Sequence, residues 1–180
     1  MEAVTNGQLT KDGYSWLLKE NAPRMLLEAL NLYGIKEKAG SENNPDILAW
    51  AKETGLKQYN ADSIPWCGLF VALIAKRAGK PLSKKPLWAR DWALWGEACE
   101  PELGCVLVFS RDGGGHVGLY VGEDLECYHV LGGNQSDMVR VSRIKKDRLL
   151  AARNLYLIGK PKNVRKVWLK PTGEVSNNEA

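Results

Sequence analysis

The sequence predicts an α+β domain in which helices come first and an antiparallel sheet follows. Three observations carry this. In the first half, apolar residues recur at helical spacing, as in Cys67, Phe70, Val71 and Ile74. The second half breaks into the short β-rich runs "CVLVF", "HVGLYVG", "ECYHVLGG", "MVRVSRI" and "LLAARNL", separated by Gly, Asp and Asn. The two kinds of segment do not alternate, which argues against βαβ units and for segregated layers.

Each element has a local reason. Residues 1–13 are polar, contain two glycines and read as a loose start, so residues 1–21 are expected to form an N-terminal lead-in. "PRMLLEALNLYG" predicts a helix, with Pro23 suited to its first turn and Gly34 to its exit. "NPDILAWAKETG" repeats the pattern, with Asn44 as N-cap, Pro45 behind it and Gly55 as stop. "DSIPWCGLFVALIAKRAG" predicts a third helix that opens at Cys67 and ends at Gly79. "LWARDWALWGE" predicts a fourth, with Trp88, Trp92 and Trp95 on one face. The clean alternation of "MVRVSRI" predicts a strand with one wet face. From Gly159 the chain turns basic and Pro-containing, so 159–180 read as a partly disordered tail and 22–158 as the domain proper.

Composition narrows the function classes. With 180 residues, 44% apolar and 26% charged, the chain can bury a core without covalent staples. Its net charge of +4 suits an acidic partner such as nucleic acid, anionic lipid or bacterial cell wall. No nucleic-acid-binding motif backs that charge, so no nucleic-acid partner is expected. No apolar run approaches the roughly 20 residues that cross a bilayer. The first residues lack the basic start and apolar stretch of a signal peptide, so synthesis in the cytoplasm is expected. Four cysteines form no C-x-x-C pair and only two histidines are present, which argues against structural zinc. In a cytosolic chain the cysteines read as free thiols. Neither a Walker loop nor a dinucleotide fingerprint occurs, and no cofactor or metal is expected.

Chemistry gathers around Cys67. A thiol at a helix N-terminus faces free N–H groups and the positive end of the macrodipole, which favour a thiolate of depressed pKa. A thiolate nucleophile needs a base, and His116 stands at the head of a strand directly after three glycines. Gly114 and Gly115 keep bulk out of a substrate groove there. A third residue would hold the imidazole by its other nitrogen. Asn134, 18 residues beyond His116, and His129, 13 residues beyond, are both one strand-and-turn away, and register decides between them. Cys99, Cys105 and Cys127 read as packing residues. Asp112, Glu123, Asp124 and Asp137 read as turn carboxylates, too dispersed for a metal site.

Together these segments resemble the papain-like peptidoglycan hydrolases of the CHAP and NlpC type. "PWCGLFV" resembles their nucleophile motif, "GCVLVFSRDGGGHVGLYVG" the strands that deliver their histidine, and "VLGGNQSDMVRVSRI" the strand that follows. The likeness is greatest to a compact CHAP-like group of bacterial and phage proteins and spans roughly residues 22–155. It implies a papain-like fold, with the N-terminal helices packed on the sheet. It implies hydrolysis of a peptidoglycan amide, as an endopeptidase of stem peptides or cross-bridges or as an N-acetylmuramoyl-L-alanine amidase. Cys67 would be the nucleophile, His116 the base, and Asn134 the polar third residue of the CHAP pattern. His129 falls near the histidine that NlpC-type members use, and Trp66 would wall the groove. Cys105 departs from the acidic residue that many relatives carry in "GDVLVF". The expected protein is a monomeric phage endolysin or prophage lysis protein acting on the wall after release or export. The alternatives are a tail-associated wall hydrolase, a secreted antibacterial amidase effector, and a wall-binding module without activity.

Overall fold

Helix ends follow local sequence closely. The structure, a computed structural model, describes residues 2–38, 40, 42–177 and 179. Among the described residues four α-helices form: α1 (Glu2–Lys11), α2 (Arg24–Leu30), α3 (Pro45–Thr54) and α4 (Cys67–Arg77). At α3 the Asn44 side chain accepts the Asp46 amide at 2.8 Å, and Gly55 closes the helix at φ 79°. α4 is buried on every side from Cys67 to Ala75, so it runs through the middle of the molecule with no wet face. α1 corrects the expectation of a loose start. It lacks an apolar stripe, and the fully buried Leu9 ties it to the core.

The fourth expected helix is a 3₁₀ turn, Ala89–Leu94. Three residues per turn place Trp92 and Trp95 above one another, both buried, with ring centroids 5.6 Å apart. Trp88 precedes the turn in extended backbone and is 70% exposed, so it leaves the face expected for it.

Seven strands of the described residues form one sheet: β1 (Glu97–Ala98), β2 (Val106–Arg111), β3 (Gly114–Glu123), β4 (Cys127–Gly132), β5 (Arg140–Lys145), β6 (Leu149–Asn154) and β7 (Val175–Ser176). Their order is β1-β6-β2-β3-β4-β5-β7. Every pairing is antiparallel except β5 with β7, so the protein is α+β with a mixed sheet rather than the purely antiparallel one expected. Strands β2 to β6 fall on the five β-rich runs of the sequence. Side chains alternate across the sheet. Val106, Val108, Val117, Leu119 and Leu131 join the side chains of α2, α3 and α4 in the larger core. Leu107, Phe109, Tyr120, Val130 and Ile144 form a smaller core on the other face.

The stretch expected as a partly disordered tail lies against the sheet. The Glu123 amide donates to the Val167 carbonyl, the Leu169 amide donates to the Glu123 carbonyl, both at 2.8 Å, and Val167 packs on the smaller core. Val167 and Leu169 pack inward while Trp168 between them is 61% exposed, an alternation that the unbroken apolar run "VWL" does not show in the sequence. The wet face of β5 is correspondingly incomplete. Arg143 is buried, its Nε 2.8 Å from Asp124 Oδ2 and its guanidinium donating to the Gly173 carbonyl.

Candidate active site

Cys67 is the first residue of α4 and only 4% exposed. Its helix starts flush against backbone: a Cβ on Gly68 would lie 2.5 Å from the Pro86 carbonyl oxygen. Trp66, expected as a groove wall, is a core residue. Its ring is fully buried, meets Trp50 edge-on at 5.8 Å, and donates from Nε1 to Glu37 at 3.0 Å. The Val117 amide donates to the Cys67 sulfur, as does the Gly68 amide. Val117 lies beyond the last paired residues of β3 and β4, Leu119 and Leu131, so the sulfur sits where that ladder has run out. Burial pushes the Cys67 thiol up and outweighs the donated amides. The thiol is therefore neutral at rest, contrary to the depressed pKa expected from its helix position.

His116 precedes Val117 on β3 and is fully buried. Its Nε2 lies 2.9 Å from Gln135 Oε1. The Gln135 amide nitrogen donates to the Val130 carbonyl at 2.9 Å and to the Arg140 carbonyl, so its oxygen is the atom left to accept. That network assigns the ring proton to Nε2 and leaves Nδ1 as a lone-pair acceptor. Nδ1 is buried without a hydrogen-bond partner among the described residues. Burial lowers the His116 pKa to about 4, against the opposing pull of Glu179 and Gln135. A neutral thiol thus lies at the Val117 amide, and a neutral imidazole belongs to the residue just before it.

Two successive glycines make the approach possible. A Cβ on Gly132 would lie 2.9 Å from Gln135 Oε1 and 3.2 Å from His116 Nε2. One on Gly133 would lie 2.7 Å from Phe70 Cβ and 2.7 Å from the Trp66 ring. The end of β4 therefore slips between the start of α4 and the imidazole. Asn134, Ser136 and Asp137 then take left-handed φ values of 57°, 52° and 60°. This reversal turns Gln135 inward, fully buried.

Of the two candidates for the third position, neither holds His116. Asn134 supplies backbone, and its neighbour Gln135 makes the contact. His129 pairs with Gly122, six residues along β3 from His116, about 20 Å at strand rise. It belongs to a separate buried chain: Tyr14 Oη lies 2.6 Å from His129 Nδ1, and His129 Nε2 lies 2.8 Å from Asp124 Oδ2. Asp124, expected as a turn carboxylate, also accepts Arg143 and the amides of Glu126 and Cys127. Although burial opposes it, these donors hold the Asp124 carboxyl well below the usual carboxylate range. Burial lowers the His129 pKa despite that carboxylate, so Nε2–H donates to Asp124 and Nδ1 accepts from Tyr14.

Gly114 has open space where a Cβ would stand, but a Cβ on Gly115 would meet Arg90 Cγ at 2.7 Å. Arg90 lies across this end of β3 and donates from Nε to the Gly114 carbonyl at 2.8 Å. Gln135 and Arg90 are the residues that sequence reasoning passed over. Among the described residues, no group of three or more His, Cys, Asp or Glu side chains is arranged to hold a metal ion. Cys99 and Cys105 share the smaller core. Burial, together with the hydrogen bond to Cys99, raises the Cys105 thiol well above its ordinary value.

Site and fold together define an α+β protein with a buried cysteine, histidine and glutamine grouped at the end of two strands. Compared with known proteins, the chain matches no family model, no curated protein and no solved structure.

Proposed function

We propose that the protein is a papain-like cysteine hydrolase that cleaves an amide bond of peptidoglycan. The observation that carries the reading is the environment of His116. One ring nitrogen is fixed by Gln135, the other carries a buried lone pair, and the next residue's amide donates to the Cys67 sulfur. A cysteine nucleophile needs such a base, oriented from behind by a third group.

The protonation states shape the mechanism. With the imidazole pKa lowered and the thiol pKa raised, the resting pair is neutral. His116 Nδ1 accepts the thiol proton as sulfur attacks the amide carbonyl carbon, so the ion pair forms along the reaction coordinate. The tetrahedral oxyanion is held by backbone N–H groups at the start of α4. His116 returns the proton from Nδ1 to the leaving nitrogen, and the C–N bond breaks. It then takes a proton from water, whose oxygen attacks the thioester and frees the acid and the thiol. Gln135 holds Nε2–H throughout and keeps the imidazole in one tautomer.

The test is digestion of purified peptidoglycan, with new amino termini identified by mass spectrometry. Wild type is expected to release muropeptides with one class of new terminus, and Cys67→Ala to release none. Equal digestion by Cys67→Ala would overturn the assignment. A second reading, a wall-binding module without turnover, draws on the burial of both Cys67 and His116. It requires wall retention with no new termini from the wild-type protein.

A further inference from the structure

A cavity of about 730 Å³ opens on a different part of the molecule. Three segments distant in sequence enclose it: the end of α1 with the turn that follows, β5, and the strap that leads into β7. Its volume falls within the range of small-molecule sites, about 300–1,000 Å³. The Tyr14–His129 pair lines one wall.

The walls have more donors than acceptors. Lys11, Arg140, Arg143 and Lys170 line the cavity against two carboxylates, Asp12 and Glu174. Arg143 is neutralised from behind by Asp124. Asp12 is already committed, accepting Tyr33 Oη at 2.6 Å and Gln8 Nε2 at 2.9 Å, with the Arg140 guanidinium at 3.5 Å. Lys11 and Lys170 have no ion-pair partner among the described residues. Arg140 Nε and Trp16 Nε1 are buried without an acceptor, and both residues line this cavity. Clustered cations repel, and a negatively charged occupant relieves that repulsion. Tyr14 and His129 use their facing atoms on each other and add no competing acceptor.

We infer that this cavity is a binding site for a small organic oxyanion, a carboxylate or a phosphate, separate from the Cys67 centre. Arg140 and Lys170 hold the charged group from opposite walls, β5 and the strap. The indole of Trp16 offers a flat surface to the rest of the ligand.

The experiment is a titration of the full chain followed in ¹H–¹⁵N spectra, with inorganic phosphate, citrate, acetyl-D-alanyl-D-alanine and the carboxamide of that dipeptide. At least one oxyanion probe is expected to move the amides of residues 11–16, 140–143 and 169–176 saturably, and the carboxamide to leave them in place. Saturation by phosphate alone identifies a phosphoryl ligand, and saturation by the dipeptide alone a carboxylate. Lys170→Met, at an exposed position, and Arg140→Met are each expected to weaken binding about tenfold, the worth of one charge-assisted contact. Cys67→Ala is expected to bind as wild type does. The inference is overturned if no oxyanion saturates by about 10 mM, a bound set by the weakest specific affinities. Equal binding of the carboxamide overturns it, as does full affinity in both cation variants. Loss of binding in Cys67→Ala would assign the ligand to the proposed active site instead.

Discussion

Gln135 Oε1 lies 2.9 Å from His116 Nε2, and the same side chain donates to the Val130 carbonyl at 2.9 Å. A neutral amide thus does the orienting, held on its far side by backbone carbonyls. On the proposed function, Gln135→Ala is expected to slow wall digestion by about ten- to a hundredfold, the worth of a buried hydrogen bond to the proposed base. Asn134→Ala should stay within about threefold of wild type, since it leaves the imidazole's partner in place. Clearing rates of purified walls measure both. A larger loss in Asn134→Ala would return the third position to that residue.

Burial of Cys67 predicts a slow thiol. Alkylation by iodoacetamide should accelerate only above the ordinary cysteine pKa, about 8.5, because burial favours the neutral thiol. Peptide mapping of the labelled protein against pH reads the Cys67 site alone. A Cys67 midpoint below 7 would contradict the neutral resting pair.

His116 gives the stability a pH dependence of definite sign. Its pKa is lowered in the folded state to about 4, below the unfolded value of about 6.5. Between those values the unfolded chain binds the extra proton, so stability falls as pH falls through this window. The full loss, complete below about pH 4, is roughly 3 kcal/mol. His116→Gln should flatten that limb of the profile in urea unfolding, and an unchanged slope would remove His116 as its source.

The two glycines at the end of β4 carry a packing prediction. Gly133→Ala forces a methyl to within 2.7 Å of Phe70 Cβ and the Trp66 ring. A cost of about 1–3 kcal/mol is expected for that overpacking. Gly114→Ala meets nothing within 4 Å and should fall within about 0.5 kcal/mol of wild type. Denaturant midpoints of the two variants test the contrast.

Much of the fold can be read from period and punctuation. Asn44 and Gly55 bound α3 as their chemistry requires, and five β-rich runs became five strands. Trp88 could not be placed, because the helix expected to hold it is a 3₁₀ turn that begins only at Ala89 and leaves Trp88 in extended backbone. At the candidate site, Cys67 and His116 announce themselves by their neighbours, a helix start and a glycine run. Gln135 does not. Turn chemistry favours the asparagine before it, and the left-handed φ values of Asn134, Ser136 and Asp137 on either side bring the glutamine round to the ring. The tail's "VWL" run likewise shows no strand period, and its partner, the Glu123 backbone, lies far away in sequence.

The sheet's two outermost strands, β1 and β7, are each only two residues long. An open row of backbone N–H and C=O groups invites another chain to pair with it, and short rims deny that template. β7 pairs with Arg143 and Ile144 of the six-residue β5 and so shortens the rim that β5 leaves open. The strap that carries β7 therefore leaves less of that rim open to pairing by another chain.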